Sequence, residues 1–115
     1  ERAEEIDLDR ALAARQRAIG AFAHWMRERD ALLTPTLPIT ATPLADVDEA
    51  TTPLATWTRM ANYLGACALS LPAGFSAAGL PIGVQVTGAA FADATLVRIG
   101  RAFQRVTDWH MRRPL

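Results

Sequence analysis

The chain reads as an α/β protein with a mixed sheet packed by helices, and three observations carry that reading. Apolar residues recur at helical spacing near both ends of the 115 residues. Two alternating apolar runs late in the chain are joined by a glycine-containing turn. Prolines cluster in one long stretch between the first half and the second. The order is therefore helix, strand, loop, short helix, β-hairpin, helix.

Residues 6 to 30 are predicted to be the first helix. Leu8, Leu12, Ile19, Phe22 and Met26 form one apolar stripe, and Ala11, Ala14, Ala18, Ala21 and Trp25 form a second of mostly small residues. Only a narrow polar strip remains, around Arg10, Arg17, His24 and Arg27. A helix apolar on two faces packs on both. The hairpin and last helix are expected to cover one face. The other calls for a second copy of the chain, making a homo-oligomer, or for a further portion of the same protein.

Residues 31–34, Ala31-Leu32-Leu33-Thr34, read as a short buried strand stopped by Pro35 and Pro38, which cannot donate to a ladder. Residues 35–53 hold four prolines among small and acidic residues and read as a long extended loop. Loops of that length in a compact domain are usually functional or mobile. Residues 55–64 form a short helix with Trp57, Met60 and Leu64 inward. Residues 67–75 and 81–88 form an antiparallel hairpin. Ile82, Val84 and Val86 alternate with Gly83, Gln85 and Thr87 and are expected on a single buried face. Ser76-Ala77-Ala78-Gly79 makes the turn, with Gly79 free to take a positive φ. The last helix runs from about Asp93 to His110. Asp93 is its expected cap, and Leu96, Ile99, Phe103 and Val106 are its core stripe.

Composition narrows the function. Half the residues are apolar and 21% are charged, a globular balance. Twelve cationic residues, all arginine, offset twelve acidic ones, so the formal net charge is zero. That argues against direct nucleic-acid or membrane-surface binding. No apolar run approaches a membrane span, and the charged N-terminal residues contain no apolar signal core. A single cysteine excludes an intrachain disulfide and fits a reducing, cytoplasmic compartment. Two histidines and one cysteine far apart do not make metal-ligand spacing, and no cofactor motif is present. Gly74, Gly79 and Gly83 do not form a phosphate loop, because no helix start follows them at the right place. Cys67 beside His24 or His110 would be a thiol nucleophile; in an apolar run it reads instead as a small buried hydrophobe. Arg98, Arg101 and Arg105 share one side of the last helix and read as a solvated face. Asn62 reads as structural, its side-chain amide holding backbone groups of the hairpin.

One series of short motifs runs through nearly the whole chain. It begins with Asp30-Ala31-Leu32-Leu33-Thr34-Pro35 and the proline-rich loop. Thr58 and Asn62 follow on a helix with Gly65 close behind, then Ser70-Leu71-Pro72-Ala73-Gly74 and Gly79-Leu80-Pro81-Ile82-Gly83-Val84-Gln85. A final helix carries Asp93 near its start and Trp109 near its end. Each motif is weak alone. In this order and spacing they resemble the C-terminal part of the amidase signature fold. Ala66-Cys67 departs from the pattern, since many members have a proline there.

The resemblance implies a large mixed sheet wrapped by helices. It implies hydrolysis of carboxylic amides by a serine nucleophile, a second serine bridging in a cis peptide, and a lysine base, all upstream of the matched region. This chain has no lysine and only Ser70 and Ser76. No catalytic residue is carried over. Residues 1–115, which begin with Glu1, are thus expected to be the C-terminal segment of an incomplete amidase signature domain. The implied partners are an upstream amidase core of the same polypeptide and a small-molecule amide substrate. By register from Asn62, the resemblance makes Thr52, Ala55 and Arg59 one wall of an acyl pocket, with the Thr34-Pro35-Thr36 turn nearby. Arg59 would clamp a substrate carboxylate. These positions also read as ordinary loop and surface residues. The two function classes are therefore part of a serine amidase, free or within a tRNA-dependent amidotransferase, and a non-catalytic binding module that folds alone.

Overall fold

The computed structural model describes residues 7–113. Helix α1 spans Leu8–Trp25 and continues as a 3-10 turn, Met26–Glu28. Asp7 caps it, accepting from the Arg10 amide at 3.0 Å. The expected start at residue 6 lies outside the described residues. Strand β1 is Leu32–Pro35, and α2 is Thr58–Leu64. Hairpin strands β2, Cys67–Phe75, and β3, Pro81–Gly88, follow. Helix α3 runs Asp93–Val106, with a last 3-10 turn at Trp109–Met111.

The three described strands pair antiparallel in the order β1-β3-β2. β3 is central, so its backbone is paired along both edges. On one face Leu71, Val86 and Leu96 form the buried core, with Cys67, Leu69, Val84, Ile99 and Phe103 packed around them. The other face is polar. Leu32 pairs with Thr87, Thr34 with Gln85, and Ser70 with Gln85, so these side chains share it. Thr87 is fully buried and Gln85 nearly so. The Gln85 side chain donates to Thr87 Oγ1 at 3.3 Å and toward the Trp57 carbonyl at 3.4 Å, which ties the start of α2 to the sheet.

Several expectations change. Val86 is buried, but Ile82 is 42% exposed. A register shift between Pro72 and Gly74 displaces the pairing next to Ile82, at the turn end of the hairpin. Asp93 is the first helical residue and not the cap: Ala92 holds that position and no side chain caps the helix. α3 stops at Val106, short of His110, because Thr107 turns extended and its hydroxyl donates to the Phe103 carbonyl at 2.8 Å. Trp57 precedes α2 and is 38% exposed, not inward. Asn62 is exposed, and among the described residues its side chain makes no hydrogen bond to the hairpin. Arg98, Arg101 and Arg105 are solvated as expected.

The largest departure concerns α1. It has no buried residue, and Leu8 and Leu12 stand 64% and 48% exposed. It packs mainly on α2, where Arg15 Nε donates to the Tyr63 carbonyl at 2.8 Å. α3 takes one face of the sheet and the α2 segment part of the other, and α1 lies against α2. The result is a slab 16 Å thick with a radius of gyration of 17.3 Å. A compact chain of this length has about 13 Å.

The hairpin turn is as expected. Gly79 has φ +79° and donates to Ser76 O at 2.9 Å, while Ser76 N donates to Leu80 O at 2.8 Å. Gly79→Ala is expected to cost about 1 kcal/mol, since a Cβ is strained at that φ even in open space. A urea midpoint equal to that of the parent would refute this.

Candidate functional site

The long loop after β1 leaves the sheet at Pro35, and it shapes two adjoining clefts. Proline at the edge strand ends the ladder, and Thr36 N makes a last bond to Gly83 O at 2.9 Å. Leu37, Ile39 and Ala41 then separate the clefts and line both.

The first cleft, about 550 Å3, lies inside the loop. Leu44, Val47, Leu54, Thr51, Thr52 and Asp48 supply its walls. Asp48 is held by a local turn: it accepts from Ala50 N at 3.0 Å and from Thr51 Oγ1 at 2.8 Å. The Thr51 hydroxyl, and then the Ala50 amide, hold its carboxyl below the usual aspartate range. Because the folded value is depressed, any stabilisation is present above the ordinary aspartate value, near pH 4, and is lost as pH falls through the depressed one. Thr51→Val is expected to move the Asp48 midpoint upward in a carboxyl NMR titration. An unmoved midpoint would show that the hydroxyl has no such role.

The second cleft, about 510 Å3, lies between residues 35–41 and the turn end of the hairpin. Its floor is a hydroxyl pair, Thr36 Oγ1 and Ser70 Oγ, 2.7 Å apart. Gly83 lies directly against the pair. A Cβ there would meet Thr36 Oγ1 at 2.9 Å, Thr36 Cβ at 3.2 Å and Ser70 Oγ at 3.3 Å. The loop can approach the sheet this closely only over a glycine.

The predicted site residues divide between these features. Thr52 is half-buried in the wall of the first cleft. Ala55, half-buried, and Arg59, exposed, sit one helical turn apart, with Arg59 N donating to Ala55 O at 3.2 Å. Neither lines a described cleft. The Thr34-Pro35-Thr36 turn reaches the second cleft through Pro35 and Thr36. Sequence reasoning missed Ser70 and Gly83 as cleft residues. The one signal for them was their place in the two glycine-proline motifs. Cys67 is half-buried against the core and its thiol donates to Ala89 O at 3.0 Å. Among the described residues no three His, Cys, Asp or Glu side chains come together as a metal site, and no helix is long and apolar enough to cross a membrane.

A three-stranded antiparallel sheet packed by helices and carrying loop-built clefts makes this an α/β protein. The Amidase family matches residues 1–97, and the chain belongs to that family. It is 46% identical over 98 residues to a glutamyl-tRNA(Gln) amidotransferase subunit of Chloroflexus aggregans, covering 81% of this chain and 20% of that protein. It is 48% identical over 91 residues to the corresponding protein of a Roseiflexus species, covering 74% of this chain and 18% of that one. Among solved structures it resembles the corresponding amidotransferase subunit of Thermotoga maritima, with TM-score 0.77, 38% identity, and 84% of this chain matched to 22% of that one. It also resembles a 6-aminohexanoate cyclic dimer hydrolase, with TM-score 0.68, 29% identity, and 91% of this chain matched to 26% of that one. The chain thus spans about 20% of the length of the curated relatives it matches.

Proposed function

We propose that this chain is the C-terminal portion of an enzyme that hydrolyses carboxylic amides by a Ser-cisSer-Lys mechanism, with the catalytic residues on an upstream core of the same polypeptide. In that chemistry a serine hydroxyl adds to the amide carbonyl, the C–N bond breaks, the amine leaves with a proton, and water releases the acyl group. The observation that carries the reading is the family match over residues 1–97 in a chain without lysine. The slab shape and the exposed Leu8, Leu12 and Trp25 of α1 support it, because both suit a segment that lies against a larger body.

In this reading Thr52, Ala55 and Arg59 form one wall of the acyl pocket, and the core supplies the opposite wall. The substrate is a small-molecule amide or the amide donor of a tRNA-dependent amidotransferase. The single cysteine supports a cytoplasmic setting.

The test compares the chain alone with the chain joined to its upstream portion, using simple amides and a fluorophosphonate probe. The chain alone is expected to show neither turnover nor labelling. The joined protein is expected to show both, with the label on an upstream serine. Labelling of Ser70 in the chain alone, with turnover lost on Ser70→Ala, would overturn the proposal and make this segment an enzyme in its own right.

A further inference from the structure

The loop of residues 36–57 contains no strand and no α-helix, and among the described residues it is hydrogen-bonded to the sheet only at its two ends. At its exit Thr36 N donates to the Gly83 carbonyl at 2.9 Å, and the Thr36 hydroxyl pairs with that of Ser70. At its return the Gln85 side chain donates to the Trp57 carbonyl at 3.4 Å. The other hydrogen bonds of the loop stay within it or run to the first turn of α2. Gly83 and Gln85 are alternate residues of β3, so one strand carries both ties.

The tie at the return depends on a buried amide. Gln85 is 4% exposed, and a primary amide that far from water must place its hydrogens on acceptors. Nε2 carries two of them. One goes to Thr87 Oγ1 at 3.3 Å, two residues along the same strand, and the other to the Trp57 carbonyl, 28 positions away. Thr34 faces Gln85 across β1, yet its hydroxyl is buried without a partner among the described residues. The amide thus passes over a hydroxyl beside it and reaches the loop instead. Trp57 is the residue from which α2 starts. Thr52 and Ala55 precede it and Arg59 follows it, so the bond fixes the stretch that carries all three.

We propose that Gln85 is a positioning residue: through the Trp57 carbonyl it sets the return of the loop, and with it the placement of Thr52, Ala55 and Arg59 against a substrate. The consequence for catalysis rests on the amidase reading; the positioning itself is a property of this chain.

Gln85→Met keeps the length of the side chain and removes its donors. Thr87→Val, on the same face, removes the neighbouring acceptor and leaves the tie to Trp57. Hydrogen exchange of the chain is followed by mass spectrometry. In Gln85→Met, peptides covering residues 52–62 are expected to exchange about tenfold faster, the range of one hydrogen bond, while those of α3 stay as in the parent. Thr87→Val is expected to leave residues 52–62 within about twofold of the parent. No change in Gln85→Met, equal acceleration in the two variants, or acceleration of α3 as great as that of 52–62 would overturn the proposal. If Gln85→Met does not fold, Gln85→Asn decides it. That variant keeps the amide but draws it back by one methylene, out of reach of Trp57, so the same localised acceleration is expected, and parent-like exchange over 52–62 would refute the tie.

Gln85→Met is also made in the chain joined to its upstream portion. KM for a simple amide is expected to rise about tenfold with kcat within about twofold, because a binding wall shifts and the reacting groups do not. An unchanged KM, or a loss in kcat alone, would end the positioning role and leave the amidase reading standing. A joined parent protein without amide hydrolysis would do the reverse, since the localised exchange is read without turnover.

Discussion

Leu96→Ala is expected to destabilise the chain by about 2–5 kcal/mol, the cost of lost burial plus the cavity left behind. Leu96 is 2% exposed and completes the buried cluster that joins α3 to Leu71 and Val86 of the sheet. Its Cδ2 lies 3.0 Å from where a Cβ on Gly88 would stand, so helix and strand are in close contact there and cannot easily collapse into the gap. Val106 belongs to the same helical stripe by spacing but is 81% exposed, at the last helical position. Val106→Ala is therefore expected within about 0.5 kcal/mol of the parent. Urea unfolding of both variants checks the pair. Equal losses would mean that α3 seats on the sheet in a different rotation.

Arg59→Ala, made in the chain joined to its upstream portion, is expected to raise KM for an amide that also bears a carboxylate by about ten- to a hundredfold. That is the range of a charge-assisted hydrogen bond, about 1.5–3 kcal/mol. KM for a neutral amide is expected to stay within about twofold, because the guanidinium then has nothing to pair with. Arg59→Lys is expected to recover part of the loss, since a point charge replaces a bidentate fork. Arg59 is exposed on α2, one turn beyond Ala55. Equal KM values for both substrates in the Ala variant would return Arg59 to the solvated surface.

Much of the fold could be read locally. The hairpin runs over the predicted residues 67–75 and 81–88, because Gly79 demands its own turn and alternation sets the strands. α1 and α3 were legible from their 3.6-residue period, and β1 from an apolar run ended by Pro35. Burial was less legible. Gln85 and Thr87 alternate as the solvent face of a strand should, yet both are buried. Nothing local says that α3 will pack on one face of β3 while the start of α2 covers Gln85 on the other. The same limit applies to the site. Thr52 lies in the wall of the first cleft, while Ser70 and Gly83 come together with Thr36 only through the register of three strands and the exit of the loop.

The sequence by itself determined the family, the element order, the hairpin and the lack of a lysine base, since each depends on residue type or short-range spacing. Only the tertiary structure decided that α1 leaves the sheet to α2 and α3, that Ile82 is exposed, and that Thr36, Ser70 and Gly83 meet at one cleft. Those outcomes depend on which elements compete for the two faces of one small sheet, and that competition is settled by packing across the whole chain.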